Sequence, residues 1–119
     1  MFDVSGLHIR LTQGDSGLLT LQPRGRCAFT DADRAVFTVR RASGGALMTA
    51  ALIPDGEGRV QVPFLSRETA QWRPGVYEWD VRYVLDAEED GDGNVTGGRE
   101  VITPMRPAAL EILRAVGSI

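Results

Sequence analysis

Ten consecutive residues, Val76 to Leu85, alternate with a period of two. Tyr77, Trp79, Val81, Tyr83 and Leu85 fall on one side, and Glu78, Asp80 and Arg82 on the other. This is the longest uninterrupted alternation in the chain. It predicts a strand with one aromatic, buried face and a central place in a sheet.

Shorter segments of the same kind surround it. Leu7, Ile9 and Leu11 alternate with His8, Arg10 and Thr12, and Gln13 to Gly17 read as the turn that follows. Leu18 to Leu21 is a second strand, ended by Pro23 and Gly25, and Ala35, Phe37 and Val39 mark a third. Ser43, Gly44 and Gly45 break the chain before the apolar run Leu47 to Ile53, which ends in the turn Pro54, Asp55, Gly56. Val60 and Val62 mark another strand. One helical turn is predicted from Ser66, as its cap, to Trp72, because Pro74 and Gly75 stop it there. After a Gly- and Asp-rich loop over 86–98, Glu100 to Thr103 and Ala109 to Leu113 read as the returning partner strand, interrupted around Pro104 and Pro107. Short strands with turn signals at intervals of roughly 8 to 12 residues are the pattern of an all-β sandwich or barrel. They exclude a parallel α/β fold.

The 119 residues suffice for one core, so a single domain over 1–119 is expected. At 43% hydrophobic and 24% charged, the composition is that of a folded protein. A net charge of -3 provides no basic field for phosphates, so nucleic acid is not expected as a partner. Cys27 is the single cysteine, which excludes an intramolecular disulfide framework. The opening residues lack a basic region followed by an apolar one, and no stretch approaches the roughly 18 apolar residues that span a bilayer. The expectation is synthesis in the bacterial cytoplasm, with no signal peptide and no membrane association.

Candidate chemistry is sparse. His8 and Cys27 are the one conceivable nucleophilic dyad, and the alternative places His8 on the polar face of an early strand and Cys27 in a core or turn. One histidine and one cysteine are too few ligands for a zinc site. The loop residues Glu88, Asp90, Asp92 and Asn94 place oxygens at alternate positions around Gly93, as calcium loops do. Arg99 stands where the bidentate glutamate should be, and the competing reading is a solvated hairpin tip. No cofactor is expected. For a carbohydrate-binding module the aromatics must be exposed; Tyr77, Trp79 and Tyr83 share the buried face, which leaves Trp72 as the surface candidate.

Three segments carry a resemblance: HIRLTQGDSGLLTL, RAVFTVRR, and ETAQWRPGVYEWDVRYV with its GDGN tip and VITP. Together they resemble the small immunoglobulin-like domain of phage and prophage baseplate upper proteins and related tail-associated proteins. Gly14 and Asp15, Arg40 and Arg41, and Gly75, Tyr77, Trp79 and Asp80 occupy that family's motif positions. The resemblance implies an immunoglobulin-like antiparallel β-sandwich of about seven to eight short strands. It also implies a non-enzymatic virion structural or assembly role in a tail or baseplate, with other tail proteins as partners. The alternative is a carbohydrate- or cell-surface-binding β-sandwich module.

An open sandwich leaves sheet edges that must be covered, charged or paired. The segment Ala108 to Ile119 is more apolar than a free tail, so a homo-oligomer is expected, with Leu113, Val116 and Ile119, together with Trp72, as interface candidates.

Overall fold

Residues 1–22 and 28–116, which the computed structural model describes, form eleven strands and one helical turn. In chain order the strands are β1 (Phe2–Ser5), β2 (His8–Thr12), β3 (Gly17–Leu21), β4 (Arg34–Arg40), β5 (Ala46–Leu52) and β6 (Val60–Phe64), followed by α1 (Ser66–Thr69). Then come β7 (Gly75–Leu85), β8 (Glu88–Glu89), β9 (Val95–Gly97), β10 (Glu100–Ile102) and β11 (Ala108–Leu113).

The long alternating segment is β7, and it lies inside the larger sheet, whose order is β1-β2-β11-β7-β4-β5. β4 pairs with one edge of β7, while β11 and β10 share the other. Between Ile102, opposite Tyr83, and Ala108, opposite Trp79, the chain carries Thr103 to Pro107 against only Asp80 to Arg82. The two extra residues, with Pro104 and Pro107 unable to donate to a ladder, split the returning strand in two. β3 and β6 form a second, two-stranded sheet, and β8 and β9 a small hairpin arm.

β4, β7 and β11 facing β3 and β6 correspond to the C, F and G strands facing B and E of an immunoglobulin-like sandwich. One hallmark of that fold is present in detail: Tyr77, near the start of β7, donates its hydroxyl to the carbonyl of Arg73 four residues upstream, at 2.7 Å. The sandwich proper has seven strands (β2 to β7 and β11); β1, β10 and the β8–β9 arm bring the number to eleven. The expected all-antiparallel pairing has one exception. β11 runs parallel to β2, with Leu110 opposite Ile9 and Ile112 opposite Leu11, a pairing possible because nearly the whole chain serves as the connection.

The core fills the space between the sheets. Ile9, Leu11, Phe37, Val39, Trp79, Leu110 and Ile112 from the large sheet meet Leu19, Val62 and Phe64 from the small one, and all are at most 4% exposed. Phe37 bridges the two sheets, with ring centroids 5.4 Å from Trp79 and 5.8 Å from Phe64, the latter edge-on. The indole N–H of Trp79 reaches the carbonyl of Leu7 at 3.0 Å, so its burial leaves no donor unsatisfied.

Three local readings are corrected. Leu7 lies at the β1–β2 turn and is exposed, so only Ile9 and Leu11 of that alternation enter the core. Ser66 does not cap α1: its hydroxyl donates to the carbonyl of Gly14 at 2.6 Å, and buried Thr69 donates to that of Asp15 at 2.7 Å. The two hydroxyls fasten the β6–β7 connection to the β2–β3 turn instead. Finally, β1 adds an unforeseen edge strand whose Phe2 packs 5.5 Å from Phe64 and directly over Gly17, where a Cβ would strike the ring.

Candidate functional site

The candidate polar side chains lie apart, on the outer face of the large sheet and at a hairpin tip. His8 lies on the outer face of β2, where its Nε2 is 3.8 Å from Glu111 Oε1, and the same carboxylate oxygen is 3.3 Å from Arg10 Nε. The other half of the proposed dyad, Cys27, lies outside the described residues. That outer face is laced with charge: Asp3 stands opposite Arg10 and Arg40 opposite Glu78, while Arg34 reaches Glu89 at 2.7 Å. Opposite charges across neighbouring strands are what a solvated sheet face carries.

The acidic arm is a hairpin tip. The Asp90 main chain brackets the turn, its N–H donating to Asn94 O at 3.0 Å and its carbonyl accepting from Gly93 N–H at 3.1 Å, with Gly93 at φ 81. Its Oδ1 accepts the N–H groups of Asp92 at 2.9 Å and Asn94 at 3.0 Å. These bonds, that from Asn94 first, hold the Asp90 carboxyl below its ordinary value of 3.8. Glu89 is drawn away to Arg34. Among the described residues, no three His, Cys, Asp or Glu side chains converge as a group that could hold a metal ion.

Asp55 does the same work in the β5–β6 connection. Its Oδ1 accepts from Glu57 and Arg59 N–H, both at 2.9 Å, its carbonyl accepts from Gly58 N–H, and Gly58 has φ 87. The two turns read Asp-Gly-Glu-Gly-Arg and Asp-Gly-Asp-Gly-Asn, one five-residue device used twice. The sequence carried that signal, the pair of Asp-Gly-acid-Gly segments.

Trp72 is corrected outright. It is 6% exposed and packs edge-on to Phe64 with centroids 6.1 Å apart, so it presents no ring face for a sugar and no hydrophobic anchor for a partner. Of the other interface candidates, Leu113 is half-buried and accepts the Gln13 N–H at 2.9 Å, Val116 is fully exposed, and Ile119 lies outside the described residues. An apolar recess of about 640 Å³ opens at one end of the sandwich, lined by Leu7, Leu21, Phe29, Val81, Ile102 and Met105. The hydroxyl of Tyr83 at its wall is committed to the Gly58 carbonyl at 2.7 Å.

What the structure leaves open is an edge. β5 is seven residues long, Ala-Leu-Met-Thr-Ala-Ala-Leu, with no charge and no proline, and it terminates the large sheet. Among the described residues its hydrogen bonds go to β4 alone, and the backbone groups on its free side have no partner there. The run Leu47 to Ile53 was legible as a strand. Its place at an edge depends on which strands pair, and that pairing is not written in any local pattern.

No protein-family model matches the chain, and no curated protein matches it significantly.

Proposed function

We propose that this chain is a non-enzymatic assembly module, a structural component of a phage or prophage tail or baseplate that works through protein contacts. The observation that carries the contact role is the uncharged edge of β5, unpaired among the described residues; apart from the bulge at Leu47, it lacks the shortening, charge or proline with which natural sheets protect such edges. The engagement of the tyrosine, tryptophan and aspartate polar groups in main-chain hydrogen bonds supports the absence of chemistry. The tail or baseplate destination is supported by the Gly14–Asp15, Arg40–Arg41 and Gly75 to Asp80 motifs in their immunoglobulin-like frame.

The test is the protein composition of purified particles after induction of a lysogen that encodes the chain. Stoichiometric recovery with tail proteins, lost when the gene is deleted, is the expected result. Particles that are complete and infective without the chain would overturn the virion role.

A further inference from the structure

We infer that Asp92–Gly93 is a spontaneous modification site at which Asp92 converts to isoaspartate, and that the two five-residue turns protect the other Asp-Gly bonds of the chain from the same reaction. The inference is independent of the assembly reading.

The chain has three Asp-Gly pairs, Asp55–Gly56, Asp90–Gly91 and Asp92–Gly93, all of them exposed. Glycine has no Cβ to keep its backbone nitrogen away from the preceding side chain, so a ring can close there. The glycine nitrogen forms a bond to the carboxyl carbon of the protonated aspartate, and the nitrogen's proton and the carboxyl's hydroxyl leave together as one water. A second water then opens the five-membered imide at either carbonyl. One opening restores aspartate. The other runs the main chain through the side-chain carbon, adding one methylene to it and leaving a free α-carboxylate. No oxidant, metal or cofactor takes part.

The three sites differ in what closure must break. Asp55 accepts the N–H groups of Glu57 and Arg59 on Oδ1, both at 2.9 Å, and Arg59 Nε on Oδ2 at 3.1 Å. The Gly56 carbonyl is also held, by the N–H groups of Ala28 at 2.9 Å and Phe29 at 3.1 Å. Asp90 accepts the N–H groups of Asp92 at 2.9 Å and Asn94 at 3.0 Å on Oδ1, and Asn94 Nδ2 on Oδ2 at 3.4 Å. Three bonds therefore favour each carboxyl as an anion in a fixed orientation, whereas closure needs it protonated and turned onto the next nitrogen. Among the described residues no such bond reaches the Asp92 carboxyl. Closure at Asp92 gives up one bond, from the Gly93 N–H to the Asp90 carbonyl at 3.1 Å. Two bonds' difference corresponds to about tenfold or more in rate. Asp92 lies between Asp90 and Asn94, whose main chains close the turn at 3.0 Å, so the added methylene lengthens the loop that this bond spans and reshapes the tip of the arm.

The test is to hold the folded protein for weeks at neutral pH and physiological temperature, digest it with trypsin, and locate isoaspartate by electron-transfer fragmentation of peptides 42–59 and 83–99. Isoaspartate at Asp92 should exceed that at Asp55 and at Asp90 by about tenfold or more. In protein kept unfolded in guanidinium, the three sites should react at comparable rates. Absence of isoaspartate at Asp92, or equal or greater conversion at Asp55 or Asp90 in the folded protein, would overturn the inference. So would a preference for Asp92 that persists in guanidinium, since neighbouring residue types and not the turns would then set it.

Discussion

The Tyr77 hydroxyl lies 2.7 Å from the carbonyl oxygen of Arg73, closing the corner by which the chain crosses from the small sheet into β7. Through this bond the aromatic that begins the buried face of β7 also fixes where β7 begins. The two functions separate by mutation. Tyr77→Phe keeps the ring in the core and removes only the bond, at an expected cost of about 0.5–1.5 kcal/mol. Trp79→Ala removes a fully buried indole between Phe37 and the Leu7 carbonyl, at about 3–5 kcal/mol. Denaturant unfolding of both variants measures the difference. A Trp79→Ala protein as stable as its parent would contradict the core described above.

The second prediction concerns acid. Hydrogen bonds from Arg59 and Asn94 main-chain N–H groups hold Asp55 and Asp90, respectively, below the ordinary carboxylate value. A carboxyl whose folded pKa is depressed stabilises the fold above its unfolded pKa, and this contribution disappears as pH falls through the folded value. Asp55→Ala and Asp90→Ala should therefore melt below the parent at pH 7. The part of that gap due to ionisation should close as pH falls below about 4. A gap that widens in acid would show that the carboxylates are not what the N–H groups favour.

The third concerns alkali. Burial, and secondarily the negative charge of Asp55, push Tyr83 up to about 12. A raised folded pKa contributes stability that is whole below the unfolded value near 10 and is lost as pH rises through the folded one. In a phenolate absorbance titration, Tyr83 should ionise only near 12, and Tyr83→Phe should remove that step. Asp55→Asn should move the step downward.

What could be read from the chain and what could not divides along physical lines. Alternation is local, so β2, β4, β7 and the burial of Tyr77, Trp79 and Tyr83 were legible from residue types alone. The Ser66 hydroxyl was misassigned and that of Thr69 went unread because their acceptors, the Gly14 and Asp15 carbonyls, lie some fifty residues away, and no capping rule reaches that far. Trp72 was placed outside because turn residues are usually exposed; α1 instead folds it back onto Phe64. The free edge of β5 follows only from the whole pairing order.

The last prediction turns on where β11 lies. The C-terminal apolar segment was expected to dock in part, and its first half does more: Leu110 and Ile112 are at most 2% exposed, with β2 on one side of their strand and β7 on the other. Among the described residues past it, the Ala115 N–H donates to Gln13 Oε1 at 3.2 Å, and Val116 is fully exposed. Truncation after Arg114 should therefore leave a cooperative unfolding transition, shifted by about 1 kcal/mol for the lost bond. Truncation after Pro107 removes the strand that joins β2 to the sheet and should abolish that transition. Size exclusion of the shorter truncation adds a discrimination between contact surfaces. If Val116 and its neighbours formed the interface, removing them would give a monomer, whereas a contact through β5 leaves any oligomer intact.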